Sequence, residues 1–187
     1  MVLNNKPQMF TAYFPSNFFY KEVEDKWGAF VERMKLPYRT VCDFMNSQIQ
    51  SVNFPGFNME VSEQGREQYN VVYPGGKEYE AIVGKDLNIV FKLTESYLSY
   101  FILLDQIWWY LRYADTVAGE PAEVKKPVWM EPFHLRFLSD AGFGMTGFVF
   151  QEITPKSLTE LQLSYAAQAA TYNTFTLTLS YNRFMVF

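Results

Sequence analysis

From Phe175 to Tyr181 the chain alternates without a break: Phe175, Leu177, Leu179 and Tyr181 are apolar, Thr176, Thr178 and Ser180 hydroxylic. Successive residues of a strand point to opposite faces, so this pattern demands a strand with one face in a core and the other outside. Leu161-Gln162-Leu163-Ser164-Tyr165 alternates in the same way, and residues 166–172 have the length of a hairpin connection or lateral loop. Nothing in this stretch points to chemistry. It reads as surface-building sheet.

The chain ahead of it is expected to begin with an arm whose residues 9–14 can pair as an edge strand. Ser16 or Asn17 is the expected cap of a first helix, with Phe19, Val23, Trp27, Phe30, Val31 and Met34 on one face. That helix should stop near Leu36-Pro37, because proline disfavours helical geometry in the residue before it. Val41, Phe44, Met45, Ile49 and Val52 predict a second helix ending before Pro55-Gly56. From Phe57 the period turns to two, with strands expected at 57–62, 69–73 and 87–93 and a loop tip at Pro74-Gly75-Gly76. Thr94 is the expected cap of a helix over about 95–114, apolar around much of its circumference and so expected to pack across a sheet. Residues 116–127 read as a surface loop, 128–138 as a strand region interrupted by Pro132, and 139–147 as a glycine-bearing turn. The order helices, strands, helix, strands predicts an α+β, mainly β fold, a sandwich or barrel, over a parallel βαβ arrangement.

The helix near 95–114 is not expected to span a membrane. Its apolar run falls short of the ~20 residues a bilayer needs. Asp105 also sits near its middle, where an insertion scale charges ~2.5–3.5 kcal/mol.

Composition narrows the function. At 187 residues the chain can bury a proper core, and 49% apolar content excludes general disorder. Eighteen Phe and 13 Tyr suit sheets and subunit interfaces. A formal charge of −4 argues against a grip on phosphates, which needs clustered Lys and Arg. With one cysteine, Cys42, no intramolecular disulfide is expected. That thiol lies on the apolar stripe of the second helix, where it is expected to be inert. Residues 1–10 show no basic region followed by an apolar run, so no secretory signal is expected.

Gly142-Phe143-Gly144-Met145-Thr146-Gly147 matches G-x-G-x-x-G, but a pyrophosphate cradle needs a helix to begin there. Phe148-Val149-Phe150 continues in strand fashion, so a hairpin turn is expected instead. His134, the one histidine, is expected to be a packed or interface residue, and no metal or cofactor site is expected. Glu60, Glu63, Glu67, Glu78 and Glu80 read as a solvated strand face or, more sharply, as an acidic channel lining that repels nucleic-acid phosphates. No catalytic constellation is present, and no enzyme activity is expected.

The run Pro155-x-x-Leu158-x-Glu160-Leu161-Gln162-Leu163, followed by a terminal alternating strand, resembles the end of bacteriophage tail-tube proteins, which share a fold with the inner-tube proteins of contractile injection machines and with tail-hub proteins. The likeness is clearest over residues 148–187, with an echo at Ile49-Gln50-Ser51-Val52-Asn53-Phe54-Pro55-Gly56, where such proteins enter their first sheet. It implies a tail-tube-like antiparallel β domain over 53–187, a packed helix between the sheets, and an N-terminal arm and helical extension over 1–52 that departs from the plain tube pattern. It also implies a homo-oligomeric ring, of six subunits by family habit, with other tail, neck or portal proteins as partners and DNA passing through the lumen without specific binding. The location implied is the virion tail, after synthesis in the host cytoplasm. Candidate inter-subunit or family-motif positions are Pro155, Leu158, Glu160, Leu161, Leu163, Phe175, Leu177 and Leu179, with the loop tip Pro74, Gly75 and Gly76. Two other classes stay open: an outer-membrane-type barrel, suggested by the aromatic strand ending in Phe187, and a small-ligand-binding barrel.

Overall fold

In chain order the elements are β1 (Phe10–Tyr13), α1 (Lys21–Arg33), α2 (Val41–Ser47), β2 (Ile49–Asn53), β3 (Val61–Arg66), β4 (Tyr69–Pro74) and β5 (Asp86–Lys92). A short 3-10 turn (Glu95–Tyr97) leads into α3 (Leu98–Ala118), followed by β6 (Phe133–Leu138), β7 (Gly144–Gln151), β8 (Thr154–Leu158), β9 (Thr174–Ser180) and β10 (Arg183–Val186). The computed structural model describes residues 10–33, 37–53, 61–66, 69–74, 86–118, 129–139, 142–161 and 173–187, with β3 and β4 described by their backbone alone.

Two antiparallel four-stranded sheets face each other. The first has the order β1-β6-β7-β10, the second β2-β5-β9-β8, and β3 and β4 pair apart as a hairpin. Alternation dictates which side chains meet between them. Leu87, Ile89 and Phe91 of β5 and Phe175, Leu177 and Leu179 of β9 are buried from the second sheet, and Phe133, Leu135 and Phe150 from the first. Phe14, just past β1, packs its ring on Phe91 at 6.3 Å and on Phe133 at 5.0 Å, joining the two layers. Tyr181 meets Phe150 edge-on at 4.9 Å and closes the far end. Each Leu or Phe so buried contributes ~1.5–3 kcal/mol, which makes this shared interior the main source of stability.

The helices lock onto that interior through a few polar clasps. Buried Gln106 on α3 accepts from the Tyr20 amide (3.0 Å) and donates to the Phe18 carbonyl (2.9 Å). Asp105, one residue earlier, accepts from the Trp27 indole (2.7 Å) and from Lys26 (2.5 Å). Glu22 accepts from the Tyr113 hydroxyl at 2.9 Å. Asn46 on α2 bonds both the amide and the carbonyl of Phe14. The front of the chain is thus stitched to α3 and to the sheets, and it supplies a strand to each sheet through β1 and β2.

Several sequence expectations need correcting. Ile49 and Val52 lie in a strand: α2 stops at Ser47, and residues 49–53 pair with β5. A spacing of three suits a helix, but these residues gain a ladder and a sheet neighbour by extending. Neither Ser16 nor Asn17 caps α1. They sit in a turn closed by Phe18 N to Pro15 O, and Gln106 claims the backbone at Phe18 and Tyr20, so α1 begins at Lys21. Phe30, assigned to the buried face, is 47% exposed. Thr94 precedes the 3-10 turn, where Ser96 and Tyr97 adopt φ of 61° and 56°; its hydroxyl accepts from the Ser99 amide at 3.2 Å. Pro132 stands just before β6 and does not interrupt it. Leu161 follows β8 outside any strand, and 162–165 lie outside the described residues. None of the described helices is long and apolar enough to cross a membrane.

Candidate assembly surfaces

The outward face of the second sheet is a hydroxyl and amide surface. Asn53, Asn88, Thr178 and Ser157 stand in register across β2, β5, β9 and β8, so one row of four strands carries four small polar residues. The adjoining rows hold Ser51, Val90 and Thr176, then Asp86, Ser180 and Thr154. The Thr178 hydroxyl donates to Asn88 Oδ1 at 2.8 Å, and Thr159 beyond β8 donates through N and Oγ1 to Thr176 O. Asp86 is ion-paired with Lys156, so its charge is met on the spot. This face presents hydrogen-bonding groups and no concentration of charge.

The outward face of the first sheet differs. Tyr13, His134, Val149 and Met185 share one row, and Arg136, Gly147 and Phe187 the next. Tyr13 stacks on His134 at 4.9 Å with the rings 6° from parallel. Burial, and then the nearby Arg136 charge, pull the His134 pKa below its usual value, so it is a packed neutral ring, as the sequence reading expected. Gly147 is required by close approach: a Cβ there would stand 2.6 Å from Leu135 O and 2.7 Å from Phe187 Cζ. Phe187 lies in that gap, with two backbone bonds to Gly147 and the Arg136 guanidinium 5.4 Å from its ring.

Among the described residues no strand pairs beyond the rims of either sheet. β1 and β10 flank the first, β2 and β8 the second. All four residues of β10 are exposed. An uncovered strand rim offers unpaired amides and carbonyls to another chain.

The expected site residues distribute unevenly over these surfaces. Phe175, Leu177 and Leu179 are buried in the chain's own core on an interior strand. Pro155 and Leu158 are half-buried on the rim strand β8, opposite Leu179 and Leu177, while Glu160 is exposed and Leu161 half-buried. Pro74 ends β4, and Glu63 lies in β3 opposite Val72. Gly75, Gly76, Leu163, Glu60, Glu67, Glu78 and Glu80 lie outside the described residues. The G-x-G-x-x-G run forms the β6–β7 hairpin and the start of β7, with Gly142 at φ 80° and Ser139 accepting the Gly142 amide. Cys42 is buried, and its pKa is pushed up to about 12, first by burial and then by Glu24 and Asp43. Among the described residues no three His, Cys, Asp or Glu side chains gather as a metal site would need.

No known family profile matches the chain, and no curated protein does. Solved structures do. A chain of the anti-feeding prophage baseplate (6-fold symmetrised) superposes with a TM-score of 0.59 at 14% identity, covering 100% of this chain and 97% of its own. A chain of the anti-feeding prophage cap, which terminates the tube, gives 0.55 at 10%, covering 100% and 93%. A chain of the sheath-tube complex of an extracellular contractile injection system gives 0.51 at 12%, covering 98% and 90%. The fold is the phage-tail-like one. The mainly β sandwich with its packed helix is therefore the tail-like architecture the sequence suggested.

Sequence reasoning passed over two surfaces. The hydroxyl face was legible in Thr176, Thr178 and Ser180, but only strand pairing aligned them with Asn53, Asn88 and Ser157. The helix expected to pack across a sheet buries one side and leaves large apolar side chains on the other. Phe101, Leu104, Trp108 and Leu111 of α3 are 41%, 43%, 65% and 54% exposed.

Proposed function

We propose that this chain is a non-enzymatic structural subunit of a phage tail or tail-like injection machine, and that it closes with copies of itself into a ring around a conduit. The observation that carries the reading is near full-length likeness to chains of three such assemblies, one of them a 6-fold symmetrised baseplate. A closed ring needs a heterologous interface, two unlike faces of one chain meeting around an axis. The free rims of the two sheets provide unlike strands for that purpose, and strand addition would cover them.

In this reading the outward face of the second sheet lines the lumen. Its hydroxyls and amides stay wetted, and its one acidic group is neutralised by Lys156. A polyanion such as a DNA genome meets neither a basic grip nor an apolar wall there. Glu60, Glu63, Glu67, Glu78 and Glu80, in or near β3 and β4 in sequence, would add repulsion if they face the lumen. Pro155, Leu158, Glu160 and Leu161, on or beside the β8 rim, are the family-motif positions best placed for a neighbour. The subunit acts in the tail, with tail, neck or portal proteins as partners, after synthesis in the host cytoplasm. A second reading, the tube of an extracellular contractile injection system, is favoured by the sheath-tube complex among the neighbours.

Negative-stain microscopy and multi-angle scattering of the purified protein test the proposal. Rings or short tubes are expected. A strictly monomeric species at high concentration, with no assembly on adding tail partners, sinks it.

A further inference from the structure

Nine of the fourteen large apolar side chains exposed among the described residues fall into two groups. One is a stripe on α3: Phe101, Leu104, Trp108 and Leu111 recur at spacings of three, four and three, which puts them on a single helical face, with Tyr97 one turn earlier. The other belongs to the first sheet beside β10: Met145, Met185 and Phe187 are 65%, 51% and 49% exposed, with Phe143 at 74% on the adjoining turn. Alternation and pairing place Met185 and Phe187 on the same outward face, around Gly147, with Met145 nearby at the bulge of β7. Neither group is covered by any described part of the chain.

We propose that these two groups are the two halves of one contact, the α3 stripe of one copy seating on the β10 patch of the next. The inference rests on the ring reading and names a contact within it. Three observations select a second copy as the occupant. A heterologous contact requires two different faces on one chain, and the chain shows two. The faces also differ in form: a helical ridge of four large side chains, with Trp108 foremost, against a sheet face on which the Phe187 ring fills the space over Gly147.

Area is the third observation. A free aromatic side chain presents ~150–250 Å². Four or five large side chains at about half exposure thus offer on the order of 400–500 Å² on each side. A stable interface buries ~800 Å² per partner, of which the apolar centre is the larger part and a polar rim the rest. Each patch alone is the size of an interface centre, and the two are of equal size.

Two variants with one added cysteine each, Trp108→Cys and Met185→Cys, are mixed and treated with a short bis-maleimide. Native Cys42 is retained, since it is buried and its thiol stays protonated. The mixture should give a cross-linked pair carrying one copy of each variant, and neither variant alone should cross-link. Trp108→Glu, at a position 65% exposed, should keep the circular dichroism of the parent while raising the concentration needed for ring assembly at least tenfold. Cross-linking of Trp108→Cys with itself would mean α3 packs on α3 across a two-fold axis, and would overturn the proposal. So would rings that form normally from Trp108→Glu with no mixed cross-link, an outcome that leaves the ring reading standing. Absence of any association, in parent and variants alike, removes both.

Discussion

Replacing Gln106 by leucine tests how the front of the chain is held. Gln106 is 1% exposed, and its amide makes two bonds to backbone eighty-odd residues away, accepting from Tyr20 N and donating to Phe18 O. Leucine fills similar space but leaves both backbone groups without a partner. Each unsatisfied buried group costs ~1–3 kcal/mol, so the variant should lose about 2–5 kcal/mol. A domain's net stability is ~5–15 kcal/mol, so the loss is a sizeable fraction of it, read directly from urea denaturation of the unassembled chain as a lower midpoint at unchanged slope. Gln106→Glu sharpens the test. An ionised carboxylate can still accept from Tyr20 N but cannot donate to Phe18 O. The protonated acid can do both. Burial raises a carboxyl's folded pKa, so this variant should be near parental stability below the unfolded value of about 4.3 and lose stability as pH rises through the folded value. If Gln106→Leu unfolds within ~0.5 kcal/mol of the parent, the clasp does not hold the segment and the account of why α1 starts at Lys21 is wrong.

Three further outcomes are expected. Leu177→Asp should prevent folding, because β9 is interior and an unpaired buried charge costs several kcal/mol; a folded variant by circular dichroism would mean the inward face is misassigned. Gly147→Val should cost ~1–3 kcal/mol, because the added Cβ would stand 2.6 Å from the β6 backbone at Leu135 O and 2.7 Å from the Phe187 ring; faster amide exchange at residues 183–187 and across the β6–β7 pairing is the readout, and unchanged protection at both would refute it. His134 has a folded pKa below its unfolded value of 6.5, so it contributes stability fully present above pH 6.5 and lost as pH falls through the folded value. His134→Phe should flatten that part of the pH profile, and an identical slope in parent and variant would count against a buried neutral ring.

Local pattern alone determined a good deal of this protein. The alternation from Phe175 to Tyr181 specified β9 and its buried face, because a period of two admits one arrangement once one side is apolar. The glycine run at 142–147 read as a hairpin because no helix pattern follows it, and Cys42 read as an inert thiol because its neighbours are apolar. Those signals sit within a few residues of one another. Other features were settled only by partners distant in sequence. Ile49 and Val52 match a helix as well as a strand, and pairing with β5, some forty residues on, decided between them. The start of α1 was set by Gln106, more than eighty residues away. That α3 buries one side and leaves Trp108 outside depends on which faces the sheets and α1 occupy, and a helix apolar all round does not encode that choice. The hydroxyl face likewise exists only once four strands are in register, since no single strand carries more than part of a row. Composition along a strand is local, whereas a surface is made by neighbours.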